Sequence, residues 1–211
     1  MNDSMSGSSG AGLYHFFRRT FHAYFTLYNR IEVLGREFIP SGGFIAVSNH
    51  TSYLDPLVLG VAVGGRRMTY LAKKELFSIP LVGWFVGSFS VPVDRERTSH
   101  MLIKELVRRL SAGEAVAMFP AGGRDKEGDG SSTDFRRGLG LLAKLSKTRI
   151  LPAYIAGTDG SLPVGGKFPK PSKISVRFAP CLEAGQTDAE QLVLLAMESI
   201  KVLKGKNKNW N

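Results

Sequence analysis

Cysteine is nearly missing from this sequence: Cys181 is the only one in 211 residues. A single thiol excludes an internal disulfide framework and a zinc site built from cysteines, and it is compatible with a reducing compartment. Acidic side chains are scarce. Asp and Glu number 18 against 28 Lys and Arg, which leaves a net charge of +10. That excess points to an anionic partner: a phospholipid surface, a nucleic acid, or a phosphorylated or acidic substrate. Long uncharged runs are scarce too. The longest, Leu76 to Val93, has 18 residues, but Pro80 and Pro92 interrupt it and Ser78, Gly83, Gly87, Ser88 and Ser90 dilute it. It reads as a short apolar helix from about Pro80 and a buried strand around Phe89 to Val93, rather than a membrane span. Residues Met1 to Gly12 lack a cationic segment followed by an apolar one, so they are not expected to be a signal peptide; they read as a flexible tail.

What is present is enough for a packed core: 43% hydrophobic and 22% charged residues, in a length that suits one domain with an appendage. From Leu13 to Ile31, Tyr14, Phe17, Phe21, Tyr24, Tyr28 and Ile31 recur every three or four residues. Phe16, Phe25 and Leu27 widen that face, and His15, Arg18, Arg19, His22 and Arg30 fall opposite. This spacing predicts an amphipathic helix with a cationic face. Aromatic rings beside arginines suit a bilayer's headgroup boundary. The same stripe suits docking on the domain, and both uses can hold at once. Beyond it, strands are expected at Glu32–Leu34, Gly43–Ser48, Met68–Ala72, Ala115–Phe119, Ile150–Ile155 and Lys173–Phe178. Helices are expected at Pro56–Val63, Thr98–Ser111, Leu139–Ser146 and Asp188–Leu203. Alternating strands and helices imply an α/β domain, with a mostly parallel or mixed central sheet flanked by helices and preceded by the amphipathic helix. The expected organisation is a tail at 1–12, a membrane-surface helix at 13–31, the domain at 32–204 and a basic tail at 205–211.

Asn49-His50-Thr51-Ser52-Tyr53-Leu54-Asp55 lies between an apolar strand and a helix. Strand ends in α/β folds line the ligand crevice. A histidine and a carboxylate five residues apart across a tight loop can pair, and the carboxylate then fixes the imidazole tautomer and supports the imidazolium formed when the ring takes a proton. An asparagine in place of Asp55 is therefore expected to favour the wrong tautomer. Asp55 also reads as the N-cap of the following helix, ahead of Pro56. His100 and Glu105 share the spacing, but in a predicted helix their side chains diverge by about 140° and cannot meet. Phe119-Pro120-Ala121-Gly122-Gly123-Arg124 follows the buried strand. The pair Gly122 and Gly123 exposes backbone N–H groups, and Arg124 beside them can bind an anion; an ordinary glycine-rich turn with a solvated arginine reads equally from the pattern. Ser52 and Cys181 are nucleophiles on paper only, and Cys181 reads better as a packed thiol.

These blocks resemble the 1-acylglycerol-3-phosphate O-acyltransferase family of bacterial membrane lipid synthesis. Its N-H-x-x-x-x-D signature is similar to Asn49–Asp55. In the same order follow Leu71–Phe77 with Ile79–Trp84, then Val91–Arg95, then Phe119–Arg124, which is similar to F-P-E-G-T-R. Arg137-Gly138, Leu151–Ile155 and Gly157-Thr158-Asp159 complete the match, which covers about residues 32 to 182. The sequence departs from the family at Ala121 and Gly123, where the pattern has Glu and Thr. The resemblance implies acyl transfer from a thioester, acyl-CoA or acyl carrier protein, to a lysophospholipid hydroxyl. By that resemblance His50 and Asp55 are catalytic, and Lys73, Arg95 and Arg124 surround the acceptor phosphate. Acyl transfer needs a base for the hydroxyl and donors for the tetrahedral oxyanion; His50 supplies the first, and N–H groups near Gly122 can supply the second. No metal or other cofactor is needed. The lost Glu leaves the acceptor open: another lysolipid, an ornithine-type lipid or a small alcohol. A non-catalytic basic lipid-binding module is the rival from another class. Nucleic acid is not expected, since no recognition motif accompanies the charge. The expected location is the anionic surface of the inner membrane, on its cytoplasmic face.

Overall fold

A computed structural model describes residues 7–78, 82–87, 89–93, 100–119, 133–163, 165–166, 168–185 and 187–207. The chain runs α1 (Gly7–Leu27), β1 (Glu32–Leu34), β2 (Phe44–Ser48), α2 (Asp55–Val63), β3 (Met68–Lys73), α3 (Val82–Gly87), β4 (Ser90–Val93), α4 (His100–Ser111), β5 (Ala115–Met118), α5 (Thr133–Ser146), β6 (Arg149–Ala156), α6 (Thr158–Ser161), β7 (Ser175–Phe178) and α7 (Ala189–Asn207). The seven strands form one sheet in the order β1-β7-β6-β2-β5-β3-β4. Every neighbouring pair is parallel except β6–β7. The α/β class and the mixed sheet expected from the sequence are thus observed.

The uninterrupted apolar segments Phe44-Ile45-Ala46-Val47 and Ala115-Val116-Ala117-Met118 become the central strands β2 and β5, buried on both faces. Successive side chains of a strand point to opposite faces, so each strand serves two cores. Phe44 and Ala46 meet Ala115, Ala117, Met68 and Leu151 on the face covered by α2 and Phe25 of α1. Ile45 and Val47 meet Val116, Met118 and Ile150 on the face covered by α4, α5 and α7.

The largest differences from the sequence reading are at the ends of α1 and the start of α5. Helix α1 begins at Gly7, inside the expected tail, because extending a helix from an established turn costs far less than nucleating one. It stops at Leu27, short of Ile31. Arg30 adopts a left-handed conformation (φ 48°), and the Ile31 amide closes back on the Phe25 carbonyl at 2.9 Å. Helix α4 begins at His100, the stretch before it lying outside the described residues, and it buries Ile103 together with Leu106 and Leu110. Helix α5 begins at Thr133, six residues before the expected start. None of the described helices is long and apolar enough to cross a membrane.

Candidate active site

Strand β2 stands where the chain's crossovers diverge. Strands β5, β3 and β4 lie on one side of it and β6, β7 and β1 on the other. In open α/β sheets the crevice beyond the carboxyl ends of strands at such a point is the usual ligand site. Residues Asn49–Leu54 leave β2 into that crevice and return as α2.

The loop is held by one carboxylate. Asp55 is 0% exposed, and its two oxygens receive four donors. His50 Nδ1 lies 2.9 Å from Oδ2. The Thr51 and Ser52 N–H groups donate to the same oxygen at 2.6 and 2.8 Å. The Thr158 hydroxyl donates to Oδ1 at 2.6 Å. A buried carboxylate needs such partners, since leaving one unmade costs its desolvation in full. The N-cap role expected for Asp55 is not what is seen. Helix α2 starts at Asp55 itself, with Leu54 at the cap position and no side-chain cap. The carboxylate turns back into the loop, where two amides and an imidazole compete for it.

His50 keeps 17% of its side chain exposed. One edge of its ring faces Asp55, and the Phe119 ring packs against it at 4.7 Å between centroids. Phe119 is the residue that follows β5. Asn49 ties the other side. Its Nδ2 donates to the Ile155 carbonyl and the Ile155 N–H donates to its Oδ1, both at 2.8 Å. The side chain thereby extends the β2–β6 ladder past Ser48.

Both paper nucleophiles are committed elsewhere. Ser52 is buried, donates its hydroxyl to the Leu162 carbonyl at 2.8 Å, and accepts from the Leu54 N–H at 3.2 Å. Cys181 adjoins Leu182, which pairs with Ile150 at the start of β6. His50 lies beyond the finish of β2, which runs parallel to β6, so the two are at opposite ends of the sheet. Burial pushes the Cys181 thiol up, against thiolate formation. The pair His100 and Glu105 also separates: Glu105 accepts three hydrogen bonds from Arg108 and Arg109, which hold its carboxyl down at about 2.

Lys73 ends β3 at the same edge of the sheet as the His50 loop, two strands away. Arg95, Gly122, Gly123 and Arg124 lie outside the described residues. Thr158 is the residue whose role sequence reasoning missed. It stands in the Gly157-Thr158-Asp159 block, but nothing in that block says that its hydroxyl reaches a carboxylate 103 positions earlier.

The chain is similar to known proteins. The family model described as Acyltransferase matches residues 30–156. The chain is 31% identical over 147 residues to the 1-acyl-sn-glycerol-3-phosphate acyltransferase of Bacillus subtilis, covering 69% of this chain and 72% of that protein. It is 34% identical over 118 residues to the protein of the same name from Streptococcus pneumoniae, covering 54% of this chain and 42% of that one. The crystal structure of the 1-acyl-sn-glycerophosphate (LPA) acyltransferase, PlsC, from Thermotoga maritima superposes with a TM-score of 0.78 at 25% identity, over 99% of this chain and 84% of that one.

Proposed function

This chain belongs to the acyltransferase family, and from that membership we propose that it moves a fatty acyl group from acyl-CoA or acyl carrier protein to the free hydroxyl of 1-acylglycerol-3-phosphate, giving phosphatidic acid. The observation that carries the mechanism is the buried Asp55 holding His50 by Nδ1 at the mouth of the crevice. That contact leaves Nε2 to face the acceptor. Nε2 takes the hydroxyl proton as the oxygen attacks the thioester carbonyl. The tetrahedral oxyanion then collapses, the C–S bond breaks, and the imidazolium returns the proton to the departing thiolate. Transfer is direct. The commitments of Ser52 and the remoteness of Cys181 favour that reading over an acyl-enzyme.

An open groove beside α2, lined by Arg18, Phe21, Leu57, Gly60, Val61, Tyr70 and Phe89, offers mostly apolar surface to an acyl chain. Lys73, Arg95 and Arg124 are the cations we assign to the acceptor phosphate, with Gly122 and Gly123 as candidate amide donors. The enzyme works at an anionic membrane surface. Leu27 at the end of α1 and Phe168 are 82% and 80% exposed, and the Tyr28 hydroxyl bonds the Pro169 carbonyl, which joins the two segments. Arg30 and Lys170 follow them closely in sequence and are exposed, a composition that suits a headgroup boundary.

Thiol release measured with acyl-CoA and acyl carrier protein, over a panel of lysophospholipids and a neutral alcohol, tests the reading. Wild type is expected to prefer the phosphate monoester, and folded His50→Ala to be inactive. Arg124→Ala is expected to raise the acceptor KM, costing about tenfold to a hundredfold in kcat/KM. Activity surviving in folded His50→Ala removes the base. Equal rates on a neutral alcohol, unchanged by Arg124→Ala, remove the phosphate acceptor; Ala121 in place of the family's Glu makes another acceptor the second reading.

A further inference from the structure

We propose that Thr158 is a positioning residue for acyl transfer, acting through Asp55 on His50; the inference rests on the reading of His50 as base. The turn from β6 into α6 serves as the platform on which the catalytic loop is set. Besides the Thr51 and Thr158 hydroxyls, which lie 3.4 Å apart, three contacts join the two segments. Asn49 exchanges two hydrogen bonds with Ile155, Ser52 donates to the Leu162 carbonyl, and Thr158 donates to Asp55. The first two place the loop backbone. Only the third touches the carboxylate that orients the imidazole.

The hydrogen-bond inventory makes Thr158 hard to replace. Oδ2 of Asp55 is saturated by His50 Nδ1 and the amides of Thr51 and Ser52, whereas Oδ1 has Thr158 as its hydrogen-bond donor. A threonine hydroxyl has one proton. Spent on Asp55 at 2.6 Å, it leaves the Thr158 oxygen to accept from the Thr51 hydroxyl, 3.4 Å away. Thr158 itself is 0% exposed, so water does not compete for the carboxylate there.

Its place is set by the backbone before it. Gly157 has φ 84° and ψ −5°, and a Cβ there would run into the Lys173 carbonyl oxygen. Only glycine turns the chain at that point and delivers the next side chain to Asp55. Without the hydroxyl, the carboxylate loses its partner on Oδ1 and is held through Oδ2 alone, about which it can tilt. The imidazole it holds then samples orientations from which Nε2 misses the acceptor. A misoriented base slows the chemical step and leaves ground-state binding alone.

The test compares wild type, Thr158→Val, Thr158→Ser and His50→Ala as full chains, with acyl-CoA and 1-acylglycerol-3-phosphate. Each kcat and both KM values are measured below the melting temperature of every variant. Valine keeps the shape and removes the hydroxyl. It is expected to lower kcat about tenfold to a hundredfold with both KM values unchanged, the equivalent of one charge-assisted hydrogen bond. Serine restores the donor and is expected within about threefold of wild type. Should valine fail to fold, Thr158→Ala gives water room at Asp55 and is expected to lose about threefold or more in kcat. Wild-type kcat in a folded Val or Ala variant, equal losses in Val and Ser, or a loss confined to KM each overturn the inference. If His50→Ala is inactive while Thr158→Val is not impaired, only this inference falls. If His50→Ala is active, the base falls and this inference with it.

Discussion

At Asp55 one side chain is asked to satisfy four donors, and the way they are shared changes what a substitution should do. The sequence alone leads one to expect that asparagine inverts the imidazole tautomer, as it does when an amide NH2 can turn toward the ring. Here the N–H groups of Thr51 and Ser52 both point at the oxygen that faces His50. An amide NH2 in that position would meet two donors head-on. The asparagine side chain of an Asp55→Asn variant is therefore held with its carbonyl oxygen there and its NH2 toward Thr158, whose hydroxyl can turn to accept. The tautomer survives, and what is lost is the charge that supports the imidazolium. Asp55→Asn is expected to cost about tenfold to a hundredfold in kcat, well short of the roughly 10⁴-fold loss of an inverted tautomer. Asp55→Ala, which strands two amides and the ring, is expected to cost more in both rate and melting temperature. A folded Asp55→Asn protein that loses the full 10⁴-fold would mean that the amide flips despite the two N–H groups.

Helix α1 divides its apolar face between buried and exposed side chains. Phe25 is 0% exposed and packs beside Tyr24 and Phe21, with ring centroids at 5.1 and 6.3 Å, on the face of the sheet that α2 also covers. Phe16, Leu27 and Tyr28 stay exposed. Of the two uses open from the pattern alone, docking falls to Phe25 and its neighbours, and the exposed side chains are those left for the proposed surface attachment. Phe25→Ala should destabilise the fold by about 3–5 kcal/mol, read as a lower unfolding midpoint. Leu27→Asp combined with Phe168→Ser should move stability by less than about 0.5 kcal/mol and yet reduce sedimentation with anionic vesicles. Unchanged sedimentation in that double variant would show that this end of the helix does not meet the lipid.

Over the whole molecule the +10 charge acts as a field rather than as contacts. Each basic residue near an anionic bilayer contributes about 1 kcal/mol of attraction, which salt screens over roughly 8–10 Å. Raising salt should release the protein from anionic vesicles while hardly altering kcat with saturating acceptor in neutral micelles, because the His50–Asp55 pair is largely shielded from solvent. Equal sedimentation with anionic and zwitterionic vesicles at every salt concentration would take the charge out of the membrane reading.

Element types were legible in the sequence because each rests on neighbours a few residues apart. The uninterrupted Ala115–Met118 run had to be a strand buried on both faces, and the spacing of Leu102, Leu106 and Leu110 had to be a helix with one apolar stripe. The His50–Asp55 pairing was legible for the same reason, since five residues of loop can close on themselves. The sheet order and the single antiparallel pairing of β7 were not, because parallel neighbours join segments that the chain separates by whole helices. Nor was the turning of Asp55 away from its own helix. Local pattern allowed the cap, and the outcome was settled by which donors tertiary packing delivered: Thr158 from 103 residues away, held by Gly157, just past a strand that Asn49 fastens to the loop. Short-range hydrogen bonds follow from spacing along the chain; the long-range partner of a buried carboxylate exists only once the sheet has brought β2 and β6 side by side.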